Sequence, residues 1–162
     1  MYCSGFSPIA NIDAETLILG SIPSIKSLEK QQYYGHPQNS FWWIMGEIFT
    51  FDSTIEYQLR IEKMLEHKIA IWDVLQQCER KGSLDSAIIA KTIKPNDFKT
   101  FFLKYKNIKK VIFNGTKAEK EFNKHVKLSN NSIILHKAPS TSPAMAILTK
   151  NAKLAIWKKL IT

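Results

Sequence analysis

The residues best suited to chemistry lie together at positions 32–43, Gln-Tyr-Tyr-Gly-His-Pro-Gln-Asn-Ser-Phe-Trp-Trp. The run sets flat rings, a proline-fixed turn, an imidazole and an amide side by side. A site that stacks a planar ligand and holds a polar group against it would use these residue types. The same run also opens a helix, because Asn39 or Ser40 is a good N-cap ahead of the apolar series Phe41, Ile44, Met45 and Ile48. Asn39 thus reads both as a cap and as a site amide, and the rings read both as a platform and as core.

Placing such groups requires a scaffold. The chain has 162 residues, 44% of them hydrophobic, which suffices for one substantial core and predicts a single domain over residues 1–162. No apolar run approaches the roughly 18 residues of a membrane span. The N-terminus has no basic region followed by an apolar core, so a cytoplasmic protein with no membrane partner is expected. Four short aliphatic runs read as buried strands: residues 16–20 (TLILG), 68–72 (KIAIW), 110–114 (KVIFN) and 132–136 (SIILH). Helices are predicted between and after them, over residues 40–51, 53 or 54 to 66, 95–105, 117–126, and from 142 or 148 to 160. Asn96 or Asp97 and Asn151 are candidate caps. This alternation predicts an α/β domain built on a mainly parallel sheet.

In an open parallel sheet, ligands bind beyond the carboxyl ends of the strands. The residues that follow the four runs are Gly20 to Ser24, then Trp72 and Asp73, then Asn114 and Gly115, and last His136, Lys137 and the proline-bounded stretch 139–143. All four ends are polar or rich in glycine and proline, and they converge on one edge. Cys3 and Cys78 lack any CxxC neighbour, and His36, His67, His125 and His136 show no HxxxH spacing, so no metal and no cofactor are expected. With 23 Lys and Arg against 14 Asp and Glu, the formal charge is +9. That excess attracts polyanions, with nucleic acid first among them, although a lysine-rich surface also serves solubility alone.

The motifs GSIPS (20–24), YYGHPQNSFW (33–42), IWDVL (71–75), CERKGSLDS (78–86), FNGTKA (113–118) and APSTSPA (138–144) occur in an order that resembles the uracil-DNA glycosylase superfamily, most closely its hypoxanthine-DNA (deoxyinosine) glycosylase branch. The resemblance implies a three-layer α/β/α sandwich around a four-stranded parallel sheet, acting on DNA that carries a deaminated base; a monomer is expected, since such action needs no second copy. In better-known branches an Asp or Asn before the proline of the first motif positions the attacking water. Ile22 stands there in this sequence and is assigned to base binding, since isoleucine cannot hold the water. In the deoxyinosine branch the catalytic amide lies in the HPxNxFW motif, which makes Asn39 the catalytic residue here, with His36 as its assistant or as the anchor of the turn before Pro37.

Phe41 resembles the ring that stacks on the extruded base. Asp73 stands where other branches read the base with asparagine, and Asn114 is a further candidate for contact with base or water. For DNA binding the expectation falls on Ser21 and Ser24 in the first loop and on Ser140, Thr141 and Ser142 in the last, with Met145 as an apolar wedge. The plain alternative is a proline-bounded turn with Met145 in the core. Ser83, Asp85 and Ser86 read as a helix start. Lys137 is not favoured as a Schiff-base nucleophile, so base release without strand cleavage is implied.

Overall fold

Aliphatic runs that are hydrophobic on both faces can only be satisfied in a sheet covered on both sides. A computed structural model, which describes residues 1–129 and 131–162, has this arrangement. In chain order the described residues form β1 (Tyr2–Ser4), β2 (Thr16–Gly20), α1 (Ile25–Lys30), α2 (Phe41–Phe49), α3 (Tyr57–Glu66), β3 (Ile69–Asp73), β4 (Leu75–Glu79), β5 (Lys94–Pro95), α4 (Phe98–Lys104), β6 (Lys110–Asn114), α5 (Thr116–His125), β7 (Ile134–Ala138) and α6 (Lys150–Ile161). The central sheet has the order β3-β2-β6-β7, and every pairing in it is parallel. All residues of β2 and β3 are buried, whereas the edge strand β7 leaves Ile134 and Leu135 exposed.

The connections between the parallel strands carry helices to the two faces of the sheet. One face carries α4 and α5, since Trp72 of β3 packs on Phe98 and Phe101 while Phe122 meets both Phe98 and Phe113. The other carries α2 and α6, which meet through Phe41 and Trp157. The expected three layers are therefore present. Among the described residues no helix is long and apolar enough to cross a membrane.

A second, antiparallel sheet of order β1-β4-β5 was not anticipated from the sequence. The chain leaves the central sheet at Asp73, and Val74 N and Leu75 N donate to Gly20 O and Ser21 O as it turns into β4. These two bonds clamp the end of β3 to the loop after β2. Cys3 and Cys78 face each other across β1 and β4 as buried free thiols.

The helix starts follow side-chain caps. Ser24 accepts from Ser27 N and Asp97 accepts from Thr100 N, while α6 is capped by Thr149 through Ala152 N rather than by Asn151. The last helix also fixes a loop: Trp157 is fully buried, and its Nε1 donates to Pro139 O at 3.0 Å. Trp157→Ala is expected to lower the unfolding free energy by about 3–5 kcal/mol in urea titrations. A loss below about 1 kcal/mol would show that α6 does not depend on this packing.

Candidate active site

The carboxyl ends of the central strands carry a cleft of about 420 Å³. Strand register builds its floor, with Gly20 opposite Asp73 across β2 and β3, and Asn114 opposite Ala138 across β6 and β7. Its walls are the loop 20–24, the segment 83–86 and the loop from 140 to 147, with Tyr33, Tyr34 and Asn39 completing the lining.

Asp73 is 3% exposed, and burial is the main cause that pushes its carboxyl up to about 7. The Asp85 charge adds to the rise, and the Arg80 guanidinium opposes it. Asp73 Oδ2 is buried with no hydrogen-bond partner among the described residues. The floor is tight around it: a Cβ on Gly20 would lie 2.5 Å from Asp73 Oδ1, so a glycine is required there. Arg80 is buried behind the wall and donates to Pro23 O at 2.6 Å, which holds the first loop. Asp85 sits on an exposed turn, yet its carboxyl reaches inward and accepts from Ser21 Oγ at 2.6 Å, and partial removal from water raises its pKa.

Asn39 lines the cleft, held by a turn in which its own N–H donates to His36 O at 2.9 Å. Its Oδ1 accepts from Phe41 N at 2.9 Å, an Asx turn that leads into α2 and fixes the amide's orientation, while Ser40 holds the N-cap position without a side-chain cap bond. A carbonyl oxygen has two lone pairs, and one of them remains for a water. His36 lies outside the cleft lining, where its Nδ1 accepts from Gln38 N and secures the turn.

Phe41 does not reach the cleft. It is 0% exposed, because Tyr34 covers its face at a centroid distance of 3.9 Å while Trp42 and Trp157 meet it edge-on. Asn114 lines the cleft with each end of its amide anchored on one residue: Nδ2 donates to Thr141 Oγ1, and Oδ1 accepts from Thr141 N, each at 2.9 Å. It positions the last loop, and its second Nδ2 hydrogen is within reach of the Tyr34 hydroxyl. Thr141 is accordingly 1% exposed, and its carbonyl accepts from both Ser40 N and Ser40 Oγ. Ser140 packs on Gly115, whose φ of +96° and lack of a side chain permit that approach.

Ser24 is occupied as the cap of α1 and Ser21 by Asp85, so neither hydroxyl is free for phosphate. Ile22 lines the first wall, and Ser142 lines the last. Met145 lies half-buried in that last loop, whereas Ile147 is 92% exposed at its tip. From the sequence, Tyr34, Arg80 and Ile147 carry no role, and Asp85 reads only as part of a helix start. Tyr34, Arg80 and Asp85 lie within the motifs, but the partners of Arg80 and Asp85 are distant in sequence.

The family model of the uracil DNA glycosylase superfamily matches residues 7–161 of the chain. The chain belongs to this superfamily. Among curated proteins, a hypoxanthine DNA glycosylase of Methanosarcina barkeri is 42% identical over 70% of this chain and 72% of its own length. A second protein of that name, from Methanosarcina acetivorans, is 36% identical over the same shares. The solution NMR structure of a candidate uracil DNA glycosylase from Methanosarcina acetivorans superposes with a TM-score of 0.81 at 31% identity, covering 99% of this chain and 97% of that one. The superfamily fold, with its cleft at the carboxyl edge of the sheet, is the one that the motif order implied.

Asp73 generates a pH expectation. Its folded pKa lies above the ordinary carboxylate value, so the folded state holds the proton more tightly, and burying the ionised form costs stability. The penalty is absent below about pH 4, grows as pH rises, and is complete above about pH 7. Relative to wild type, Asp73→Asn is expected to gain stability across that window at up to about 1.4 kcal/mol per pH unit. Parallel stability curves for the two proteins would place the carboxyl in water.

Proposed function

We propose that the chain is a monofunctional DNA glycosylase that hydrolyses the N-glycosidic bond of a deaminated base, hypoxanthine above all, turned out of DNA. The observation that carries this reading is Asn39: an amide whose oxygen is held by Phe41 N, with a lone pair left for water, in the same cleft as a buried carboxyl group. The names of the two curated relatives support hypoxanthine as the base. Ile22 in the first loop supports giving the water to Asn39.

Breaking the bond gives the deoxyribose oxocarbenium character and sends the bonding pair to the departing base. A water on Asn39 Oδ1 adds to the anomeric carbon, and the proton it gives up passes through solvent to the departing base anion, so that sugar hydroxyl and free base leave neutral. A neutral amide is a poor base, so its contribution is alignment. The ionised Asp73, through its unpartnered Oδ2, accepts the N1–H of hypoxanthine, whereas adenine presents a lone pair at N1 and meets repulsion. Extrusion costs a few kcal/mol, least where pairing is already weakened.

Among the described residues no lysine lines the cleft, and Lys137 pairs with Glu119 at 3.4 Å, so the base leaves without strand cleavage. The exposed Ile147, rather than the half-buried Met145, is the apolar wedge that enters the vacated stack. The charge of +9 supplies the attraction to phosphate.

Base release from matched oligonucleotides carrying one hypoxanthine or one uracil tests the reading. Asn39→Ala is expected to slow hypoxanthine release by about 10²-fold or more. Unchanged release by this variant, or none by the wild type, would remove the mechanism. Ile147→Ala is expected to slow release from paired duplex about tenfold more than from single strands, and equal effects on both would take the wedge away from Ile147.

A further inference from the structure

Helix α4 carries more apolar surface than its inner face uses. Phe98 and Phe101 turn inward and pack on Trp72 of β3. Leu103, two positions beyond Phe101, must point to the other side of the helix, where it is 63% exposed. Phe102 lies half-buried between the two faces. A surface helix ordinarily turns polar side chains outward, so this second apolar stripe is unused contact surface.

The stripe forms one wall of a groove of about 370 Å³. Val126 and Leu128, half-buried in the segment after α5, form the other, and Ile108 and Ile133, which lead into β6 and β7, form the floor. These floor residues stand at the amino ends of strands whose carboxyl ends carry the cleft. Groove and cleft are therefore separated by the length of a five-residue strand, about 16 Å.

The rim of the groove is basic. Lys99, Lys106 and Lys127 line it, and among the described residues none of them has an ion-pair partner. Asp97 feels the Lys99 charge, but its carboxylate accepts from Thr100 N and Thr100 Oγ1 as the cap of α4. No carboxylate lines the groove among the described residues. Elsewhere lysines are met by glutamates, as Lys63 is by Glu66 and Lys117 by Glu121. Here an apolar floor lies under uncompensated positive charge.

We propose that this groove docks an acidic, amphipathic segment of another protein, whose apolar side chains enter between α4 and residues 126–128 while its carboxylates meet the lysines. Charge complementarity selects that occupant. A nucleic-acid backbone would answer the lysines but leave Leu103 and the floor in water, and a small carboxylate would meet only part of the basic rim. Because groove and cleft lie at opposite edges of the sheet, the segment binds without displacing DNA. The docking stands apart from what the cleft acts on.

Fluorescence anisotropy of the full chain with a fluorescein-labelled synthetic helical peptide, leucines four positions apart among glutamates, tests the proposal. The peptide is expected to bind with Kd of roughly 10–100 µM at low salt, and more weakly as salt rises. Leu103→Glu is expected to weaken binding at least about tenfold and Lys106→Glu at least about threefold. Both side chains are exposed, so both variants are expected to keep the wild-type circular dichroism and the wild-type rate of hypoxanthine release. The Lys106 variant leaves the apolar groove intact and guards against a folding defect in the other. No binding by wild type, equal binding of a peptide with serines in place of the leucines, or displacement of the peptide by duplex DNA would each overturn the proposal. Peptide binding without base release removes the glycosylase reading and keeps the groove, and base release without peptide binding does the reverse.

Discussion

Because β3 ends against β2 at the foot of the cleft, Asp73 must sit where little hydration is left to keep a carboxyl ionised, and the neighbouring residues answer to that constraint. Gly20 gives up a side chain so that the carboxyl fits. Arg80 places a buried guanidinium within electrostatic range while it bonds the Pro23 carbonyl, so charge compensation and loop placement come from one side chain. Asp85 pushes the other way and is tethered by Ser21. The resulting balance leaves the carboxyl close to its switching point at neutral pH, a poise that a solvent-exposed aspartate lacks.

The last wall of the cleft is held by a relay of polar contacts. Asn114 bonds Thr141 at two points, the Thr141 carbonyl takes both donors of Ser40, Lys153 reaches Ser142 O, and Trp157 reaches Pro139 O. The turn that carries Asn39 and the loop that carries Ile147 are thereby one connected body. Such fixed donors and acceptors hold the Asn39 amide to the small tolerances that aligning a water would demand.

The sequence was most legible where burial is complete. The runs at 16–20 and 110–114 coincide with β2 and β6, because strands covered on both faces read as unbroken aliphatic stretches. At the half-exposed edge that signal weakens, and the last strand lies at Ile134–Ala138 rather than at 132–136. The small antiparallel sheet escaped because its strands are short and partly polar, as in LQQCE. The helix expected from residue 53 or 54 begins at Tyr57, since Asp52 and Thr54 close an Asx turn ahead of it. Of the cleft lining, Asn39, Asp73 and Ile22 stand at positions that the motif order singles out. That Asn114 would bond Thr141 at two points, and that Tyr34 would cover Phe41, depends on packing between distant elements, which no local pattern encodes.

The bond from Ser40 to Thr141 joins residues 101 positions apart, and the docking of α6 on α2 is similarly non-local. The β2–β6 ladder spans the chain just as widely, so sheet and wall alike are built from long-range contacts. They differ in what holds them: the wall hangs on a handful of polar bonds and the docking of α6, so a local detachment of that helix, smaller than global unfolding, is enough to open the cleft while the ladders persist.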